Sequence, residues 1–219
     1  NLMRSFLFYI SLCSIGISYA QPSIHALEKY IQEENSSTPP NIIFEDTRNE
    51  IIIISTLKTY TTDPSENIRK NAYSLLSRIG QKSKNDKLIL EIVEHISSGL
   101  EDSSNIIRTY CIKTLQNFSK QDFNLAAKSF IHNSINDSCS DLNLLMKMAG
   151  FLEMEESEDK INQIINNSDI FTTRWAARIA LARMGDRDAI DYINTKLKKA
   201  VINDAFVYDI APDLIYTRN

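Results

Sequence analysis

The stretch from Asp63 to Gly80 has a pattern that returns along the chain, and this repetition limits the folds that the chain can adopt. Its apolar residues fall three or four positions apart, which is the spacing of one face of an α-helix. That apolar stripe consists of Ile68, Ala72, Leu75, Leu76 and Ile79. Matching residues follow Asp102 and precede Gly185, so the chain is predicted to consist of repeated helices.

The copies match at defined positions. The second copy carries, in the same order, Ile107, Arg108, Cys111 and Leu115. A later copy carries Arg174, Ala177, Leu181 and Gly185. Weaker copies cover Leu142–Leu152, where Asn143 replaces the arginine, and the region from Asp204 to the end. A further helix is predicted before each copy, at residues 48–60, 85–98, 123–135, 158–165 and 187–199.

Helix pairs spaced about 31 to 39 residues apart are typical of solenoids, because one pair cannot bury both apolar stripes alone. The predicted repeat domain is 48–219, with units at about 48–80, 84–118, 122–152, 157–185 and 187–219. Residues 21–47 are predicted to form a capping helix, from Ser23 to Glu34, followed by a linker. The run Ile51–Ile54 is predicted to be helical and buried between layers, because Leu57 and Tyr60 continue its stripe.

The aspartate, the Ile-Arg step, the alanine and the final Ile-Gly resemble HEAT repeats of the armadillo-like class. The stretch Arg174–Asp191 is similar to the bacterial, phycobilisome-lyase-type branch of these repeats. The resemblance covers the chain from about Arg48 onward. It implies an all-α, right-handed α-solenoid of about five helix pairs, in which the second helix of each pair lines the concave side.

Helix caps and a ladder of charged residues are expected at the repeats. Asp63 and Asp102 are predicted to cap their helices. In the first of these helices Pro64 would take the first helical position, Glu66 would complete a capping box and Gly80 would end the helix. The resemblance further implies that aspartates and arginines bridge adjacent repeats. This structural ladder would comprise Asp63, Arg69, Asp102, Arg108 and Arg174. The alternative is that these arginines form a basic groove for an acidic partner.

The first twenty residues are predicted to be a signal peptide, cleaved after Ala20. Met3 and Arg4 form a basic start, and an apolar run from Phe6 to Ile17 follows. The protein would then be periplasmic or secreted, with no stable membrane span after cleavage. The alternative is a short membrane anchor. Two residues precede Met3, so the start is assigned wrongly or the sequence is a fragment, and we expect the chain to continue past Asn219.

Composition argues against several classes of function. The net charge of -4 disfavours nucleic acid, and no two of the five glycines are close enough for a phosphate-binding loop. The histidines lack the register of a metal site, and Asp137–Met148 lacks the glycine and glutamate of a calcium loop. In the acidic stretch Glu153–Lys160, Ser157 is predicted to cap a helix. Cys111 and Cys139 are either a disulfide or a core thiol and a spare one.

No catalytic constellation or cofactor motif is visible, so the chain is predicted to be a non-enzymatic scaffold that binds a protein or peptide on its concave face. The alternative is a lyase-like protein that handles a chromophore or small ligand. Trp175 is either a binding residue or packing at a repeat junction. The candidate binding surface comprises Arg69, Tyr73, Thr109, Lys113, Trp175 and Arg178.

Overall fold

A computed structural model describes residues 24–32, 50–136 and 141–199 of the chain. These residues form ten α-helices and no strand, in agreement with the predicted all-α class. Helix α1 covers residues 24–32. The others are α2 (Glu50–Tyr60), α3 (Glu66–Lys82), α4 (Asp86–Ser98), α5 (Asn105–Leu115), α6 (Leu125–Ser134), α7 (Leu142–Phe151), α8 (Glu158–Asn167), α9 (Phe171–Met184) and α10 (Arg187–Lys199).

Every first helix predicted from the sequence is present, and its ends lie within a few residues of the predicted ones. A helix is also present at residues 24–32, within the stretch from Ser23 to Glu34, and its capping role stays a prediction. The predicted signal peptide, the linker before residue 48, Asp137 with Cys139, and the last copy from Asp204 lie outside the described residues. None of the described helices is both long enough and apolar enough to span a bilayer.

The chain divides into two compact units, residues 1–92 and 93–219, and the division falls within α4. In the first unit, α2 packs against α3, and Asn71 of α3 donates a hydrogen bond to the Ile31 carbonyl of α1 at 3.1 Å. The core of this unit contains Leu27, Ile31, Ile53, Ile54, Leu57, Leu75 and Leu76. In the second unit, α9 packs against α7, α8 and α10, and α6 packs against α7.

Helix α2 is buried on one side only. Ile53, Ile54 and Leu57 lie in the core, whereas Ile51 is 76% exposed and Ile52 is also exposed. The prediction that the whole isoleucine run is buried between layers is therefore wrong. Four consecutive residues of an α-helix point in all directions around its axis, so a single neighbouring layer can cover only some of them.

The turns that precede the second helices have the same hydrogen-bond pattern, in which a side-chain oxygen accepts the backbone N–H two residues later. Asp63 Oδ1 accepts the N–H of Ser65 at 2.8 Å, and Asp102 Oδ1 accepts the N–H of Ser104 at 2.8 Å. Before α9 the hydroxyl of Ser168 accepts the N–H of Ile170 at 3.2 Å. The N-cap residues of α3 and α5 are Ser65 and Ser104, so the predicted capping role of Asp63 and Asp102 is wrong, and so is the capping box of Asp63 with Glu66. Their carboxylates instead close the turn that precedes the helix.

The arginines of the predicted ladder close the same turns. Arg69 Nη1 donates to the carbonyls of Asp63 at 2.9 Å and Pro64 at 3.2 Å. Arg108 Nη1 donates to the carbonyls of Asp102 at 2.6 Å and Ser103 at 3.1 Å. These hydrogen bonds join each arginine to the turn of its own repeat. The two side chains therefore clamp the start of the helix within each repeat, and the predicted bridging between adjacent repeats stays a prediction.

Replacing Arg108 with methionine should lower the free energy of unfolding by about 1–2 kcal/mol, because two carbonyls lose a charged donor. Arg69→Met should have a similar effect. Lys113→Met on the same helix α5 is the control, since Lys113 is exposed and should change stability by less than about 0.5 kcal/mol. Urea denaturation followed by circular dichroism measures all three. Equal midpoints for Arg108→Met and Lys113→Met would contradict the clamp.

Two glycines that the sequence places at helix ends behave differently. Gly185 ends α9 in the left-handed conformation, with φ 98°, as predicted. Gly80 is buried inside α3, which continues to Lys82 and ends at Ser83, so the predicted C-cap at Gly80 is wrong. The helix continues because the following Gln81 and Lys82 are good helix formers, and their side chains are exposed.

Gly150 lies where α7 crosses α9. A Cβ atom built on Gly150 would lie 2.7 Å from Ala180 Cα and 3.0 Å from the Ala180 carbonyl oxygen. Both of those atoms belong to the backbone of α9 and cannot rotate away. The neighbouring side chains Ala149, Ala176 and Ala177 are small and buried. The two helices therefore approach closely because the residues at their contact are glycine and alanine, whose side chains are absent or small.

Candidate protein-binding surface

The structure separates the six candidate surface residues into buried and accessible ones. Tyr73 is only 4% exposed and Trp175 only 5% exposed, so the expectation that these two lie on the surface is wrong. For Trp175 the structure agrees with the alternative of packing at a repeat junction. Arg69, Thr109 and Arg178 are half-buried, and Lys113 is exposed.

The register of the repeats explains why Tyr73 is buried. Tyr73, Ile112 and Arg178 occupy the same position in their copies, one residue after the small residue of the stripe. Ile112 is fully buried and Tyr73 nearly so, so this position faces the core. Arg178 is the exception, because its guanidinium lies over an aromatic ring of the next helix.

Thr109 forms a contact between repeats. Its hydroxyl donates a hydrogen bond to a carboxylate oxygen of Asp141, the residue that precedes α7. Thr109 and Trp175 occupy the same position in their copies, and Trp175 also contacts the following helix, through Tyr192. This position therefore joins one repeat to the next in both cases, and its side chains serve packing more than an exposed surface.

An aromatic and basic surface lies on α9 and α10. The Phe171 ring stacks on Trp175, with centroids 6.3 Å apart and an interplanar angle of 16°. Trp175 contacts the Tyr192 ring at 6.4 Å, and the Arg178 guanidinium lies 4.0 Å from the centroid of that ring. Lys196 Nζ lies 5.5 Å from the same centroid. We name this surface the α9–α10 patch, and it comprises Ile170, Phe171, Arg174, Arg178, Tyr192 and Lys196.

The patch is apolar at one end and charged at the other. Ile170 is 62% exposed and Phe171 is 46% exposed. Arg174 and Arg178 are half-buried and one helical turn apart, and Lys196 is exposed. Trp175, Ile179 and Ile193 form a buried cluster beneath. Aromatic and arginine side chains that lie over a buried cluster are common at protein-binding hot spots.

Sequence reasoning found two members of the patch, Arg178 and, as a ladder residue, Arg174. It missed Ile170, Phe171, Tyr192 and Lys196. Part of the signal was available, because Phe171 precedes Trp175 by one turn and Tyr192 precedes Lys196 by one turn. The contact between the two helices could not be predicted, since no local sequence pattern indicates that Tyr192 of α10 contacts Arg178 of α9.

A histidine and a serine meet where α6 approaches α8. His132 Nδ1 lies 3.0 Å from Ser157 Oγ, and the His132 carbonyl accepts a hydrogen bond from Lys160 Nζ at 2.8 Å. Ser157 is fully buried and is the N-cap residue of α8, as predicted, but its hydroxyl makes no capping hydrogen bond and contacts the histidine instead. The pair therefore joins α6 to the start of α8.

Acidification should weaken this junction. Burial and the charge of Lys160 lower the pKa of His132, and the charge of Glu156 partly opposes them. Because the folded pKa lies below the unfolded value near 6.5, the unfolded chain binds more protons at acid pH. The free energy of unfolding should therefore be fully present above about pH 6.5 and fall as the pH drops through the folded pKa.

The test of this pH dependence is urea denaturation of the wild type and His132→Gln at pH 7.5 and 5.5. The wild type should lose more stability between the two pH values than the variant does. His25→Gln is the matched control, since His25 is exposed on α1 and its replacement should leave the loss unchanged. An identical loss in all three proteins would mean that His132 does not contribute to the dependence.

The structure gives no support for a reactive cysteine or, among the described residues, for a metal site. Cys111 is a free, fully buried thiol, and burial raises its pKa, so it is a core residue without thiolate reactivity. Among the residues that the structure describes, no group of three or more histidines, cysteines, aspartates or glutamates could hold a metal ion. In the acidic stretch, Glu153 forms an ion pair with Lys120, and Glu158 and Asp159 lie in the first turn of α8.

Comparison with known proteins identifies the family. No curated protein matches the chain. Residues 58–177, more than half of the 219 residues, match the TIP120 family, which is described as TATA-binding protein interacting (TIP20). TIP120 is a HEAT-repeat-containing family, in agreement with the resemblance of the repeats and with the paired helices described above. The chain belongs to the TIP120 family of helical-repeat proteins.

Proposed function

We propose that this chain is a non-enzymatic scaffold that binds another protein or a peptide. The observation that carries the proposal is the α9–α10 patch, in which the exposed Phe171 stacks on the buried Trp175 and Arg178 lies over the Tyr192 ring. Membership of a family described as interacting with a protein supports it. As part of the same proposal, the helix pairs form a right-handed solenoid, and the second helices line its concave side.

The family description makes TATA-binding protein the first partner to test. The full chain is immobilised, and purified TATA-binding protein is passed over it in a surface plasmon resonance experiment. Saturable binding in the micromolar range or tighter is the expected result, and it should survive in Lys87→Gln, a variant of an exposed lysine. A crosslinked pull-down from a native extract, with each partner then purified and measured in the same way, extends the test to other proteins. The proposal fails if no purified protein binds.

The proposed location is the periplasm or the outside of the cell, which rests on the composition of residues 1–20. The test is the N-terminal sequence of the protein recovered from its native cells. A mature chain that begins at Gln21 would support export. A recovered chain that still carries residues 1–20 would exclude cleavage after Ala20.

The alternative of a chromophore- or ligand-handling protein rests on the similarity of Arg174–Asp191 to phycobilisome-lyase-type repeats. It predicts that purified protein carries a small molecule that absorbs above the range of tryptophan and tyrosine. An absorbance spectrum of the protein from its native source separates the two functions, because the scaffold should absorb only where tryptophan and tyrosine do.

A further inference from the structure

We propose that the α9–α10 patch binds an acidic peptide segment that also carries apolar side chains. This inference rests on the proposed function and deepens it by naming the chemistry of the partner. The apolar end of the patch, formed by Ile170 and Phe171, would accept the apolar side chains. The basic end, formed by Arg174, Arg178 and Lys196, would accept carboxylates.

The charge of the two helices supports an acidic ligand. Helix α9 contains three arginines and no acidic residue. Arg183 donates to the Lys147 carbonyl of α7 at 3.4 Å, so it belongs to the contact between these helices. Arg174 and Arg178 lie one turn apart on the patch. In α10 the acids Asp188 and Asp191 lie in the first half of the helix, and the exposed Lys196 and Lys198 lie in the second half.

The position of Arg178 is the most informative feature of the patch. Its equivalents Tyr73 and Ile112 are buried, so a charged residue here departs from the repeat pattern. The guanidinium is held 4.0 Å from the Tyr192 ring centroid, which keeps its plane in one place. A guanidinium stacked on a ring still directs N–H groups outward from its edge, and two of these match the two oxygens of a carboxylate.

The apolar end of the patch supplies exposed apolar surface that a ligand can bury, which a purely ionic site lacks. Phe171 stacks on the buried Trp175, so its ring is supported from below while nearly half of its surface meets solvent. Covering this ring and the side chain of Ile170 removes apolar surface from water, which favours association. Surface ion pairs alone contribute little. The ligand is therefore expected to combine carboxylates with leucine or phenylalanine.

A protein ligand fits these features better than a nucleic acid. The chain carries a net charge of -4, and the patch has only three basic side chains. Nucleic-acid binding depends on many phosphate contacts, and three basic side chains can make only a few of them. Binding of single-stranded DNA by the patch would therefore count against the acidic peptide as its natural ligand.

The test uses three synthetic peptides of equal length without tryptophan. One alternates glutamate with leucine and phenylalanine, the second has lysine in place of glutamate, and the third keeps glutamate but has serine in place of the apolar residues. Binding to the full chain is followed by the fluorescence of Trp175, the only tryptophan, which lies beneath the patch. A labelled single-stranded DNA oligonucleotide is measured by anisotropy under the same conditions.

The expected result is binding of the acidic, apolar peptide at least about tenfold tighter than of the other two, with weaker binding at high salt. The double variant Arg174→Gln, Arg178→Gln should weaken it about tenfold, whereas the double variant Lys84→Gln, Lys87→Gln, which removes the same charge from two exposed lysines, should not. Circular dichroism confirms that both variants are folded.

Several outcomes would overturn the inference. These are equal binding of the lysine peptide, tighter binding of the DNA, no binding of the acidic peptide at about millimolar concentration, and indifference to the arginine substitutions. If a verified protein partner still binds the double arginine variant normally, only this inference fails and the scaffold function stands. If no protein partner binds the wild type, the proposed function fails as well.

Discussion

Replacing Gly150 with valine should destabilise the second unit by about 3 kcal/mol, at the upper end of the range for overpacked contacts. The first added carbon would lie 2.7 Å from Ala180 Cα, and valine adds two further methyl groups. Neither atom of the Ala180 backbone can move without shifting α9, which packs against α7, α8 and α10. The better helix propensity of valine over glycine recovers less than about 1 kcal/mol.

Urea denaturation followed both by circular dichroism and by Trp175 fluorescence measures this effect, because Trp175 lies on the displaced helix. Gly185→Ala is the control. It adds a Cβ with no atom within 4 Å, so only its positive φ of 98° opposes the change, at a cost of about 1 kcal/mol. If the two variants were equally stable, the backbones of α7 and α9 would not be in close contact at Gly150 in solution.

Replacing Trp175 with alanine should cost about 3–5 kcal/mol, the range for removing a large aromatic side chain from a core. The indole is 5% exposed and packs with Ile179 and Ile193, and Phe171 and Tyr192 stack or tilt against it. Its removal leaves a cavity between α9 and α10 that these neighbours cannot fill without moving. Loss of partner binding in this variant would therefore reflect a damaged base of the patch.

Thermal unfolding followed by circular dichroism is the measurement, since the variant lacks the only tryptophan. Trp175→Phe keeps an aromatic ring in the same place and should lose clearly less stability. Phe171→Ala removes a ring that is 46% exposed and should cost about 1 kcal/mol, because less surface was buried. A Trp175→Ala melting temperature equal to that of Phe171→Ala would contradict the burial of the indole.

Much of the helix pattern was predictable from local features. The apolar stripes place α2 to α10, and the glycine after Met184 ends α9 as expected. These features depend on residues within one or two turns, and the same short-range hydrogen bonds recur in each copy. The Asp63, Asp102 and Ser168 turns are an example, because the bond spans only two residues.

The candidate surface was predicted less well, for a related reason. The spacing of apolar residues predicts which residues share one face of a helix, but a helix in a repeat packs against neighbours on several sides. Tyr73 and Arg178 share a register position, yet one is buried and the other is stacked on Tyr192. Whether a side chain at that position is buried depends on the next helix. The apolar spacing within one helix does not predict how close the next helix lies or which of its side chains face the position.

The amino-acid sequence by itself determined the helices, their pairing in repeated units and most of their ends, since periodicity, turn residues and a terminal glycine act over a few residues. The tertiary structure alone decided that Gly150 admits the backbone of α9, that Thr109 reaches Asp141, and that the α9–α10 patch exists. Each of these depends on two segments far apart in the chain that meet at a specific distance. Only the packing of whole helices sets such distances.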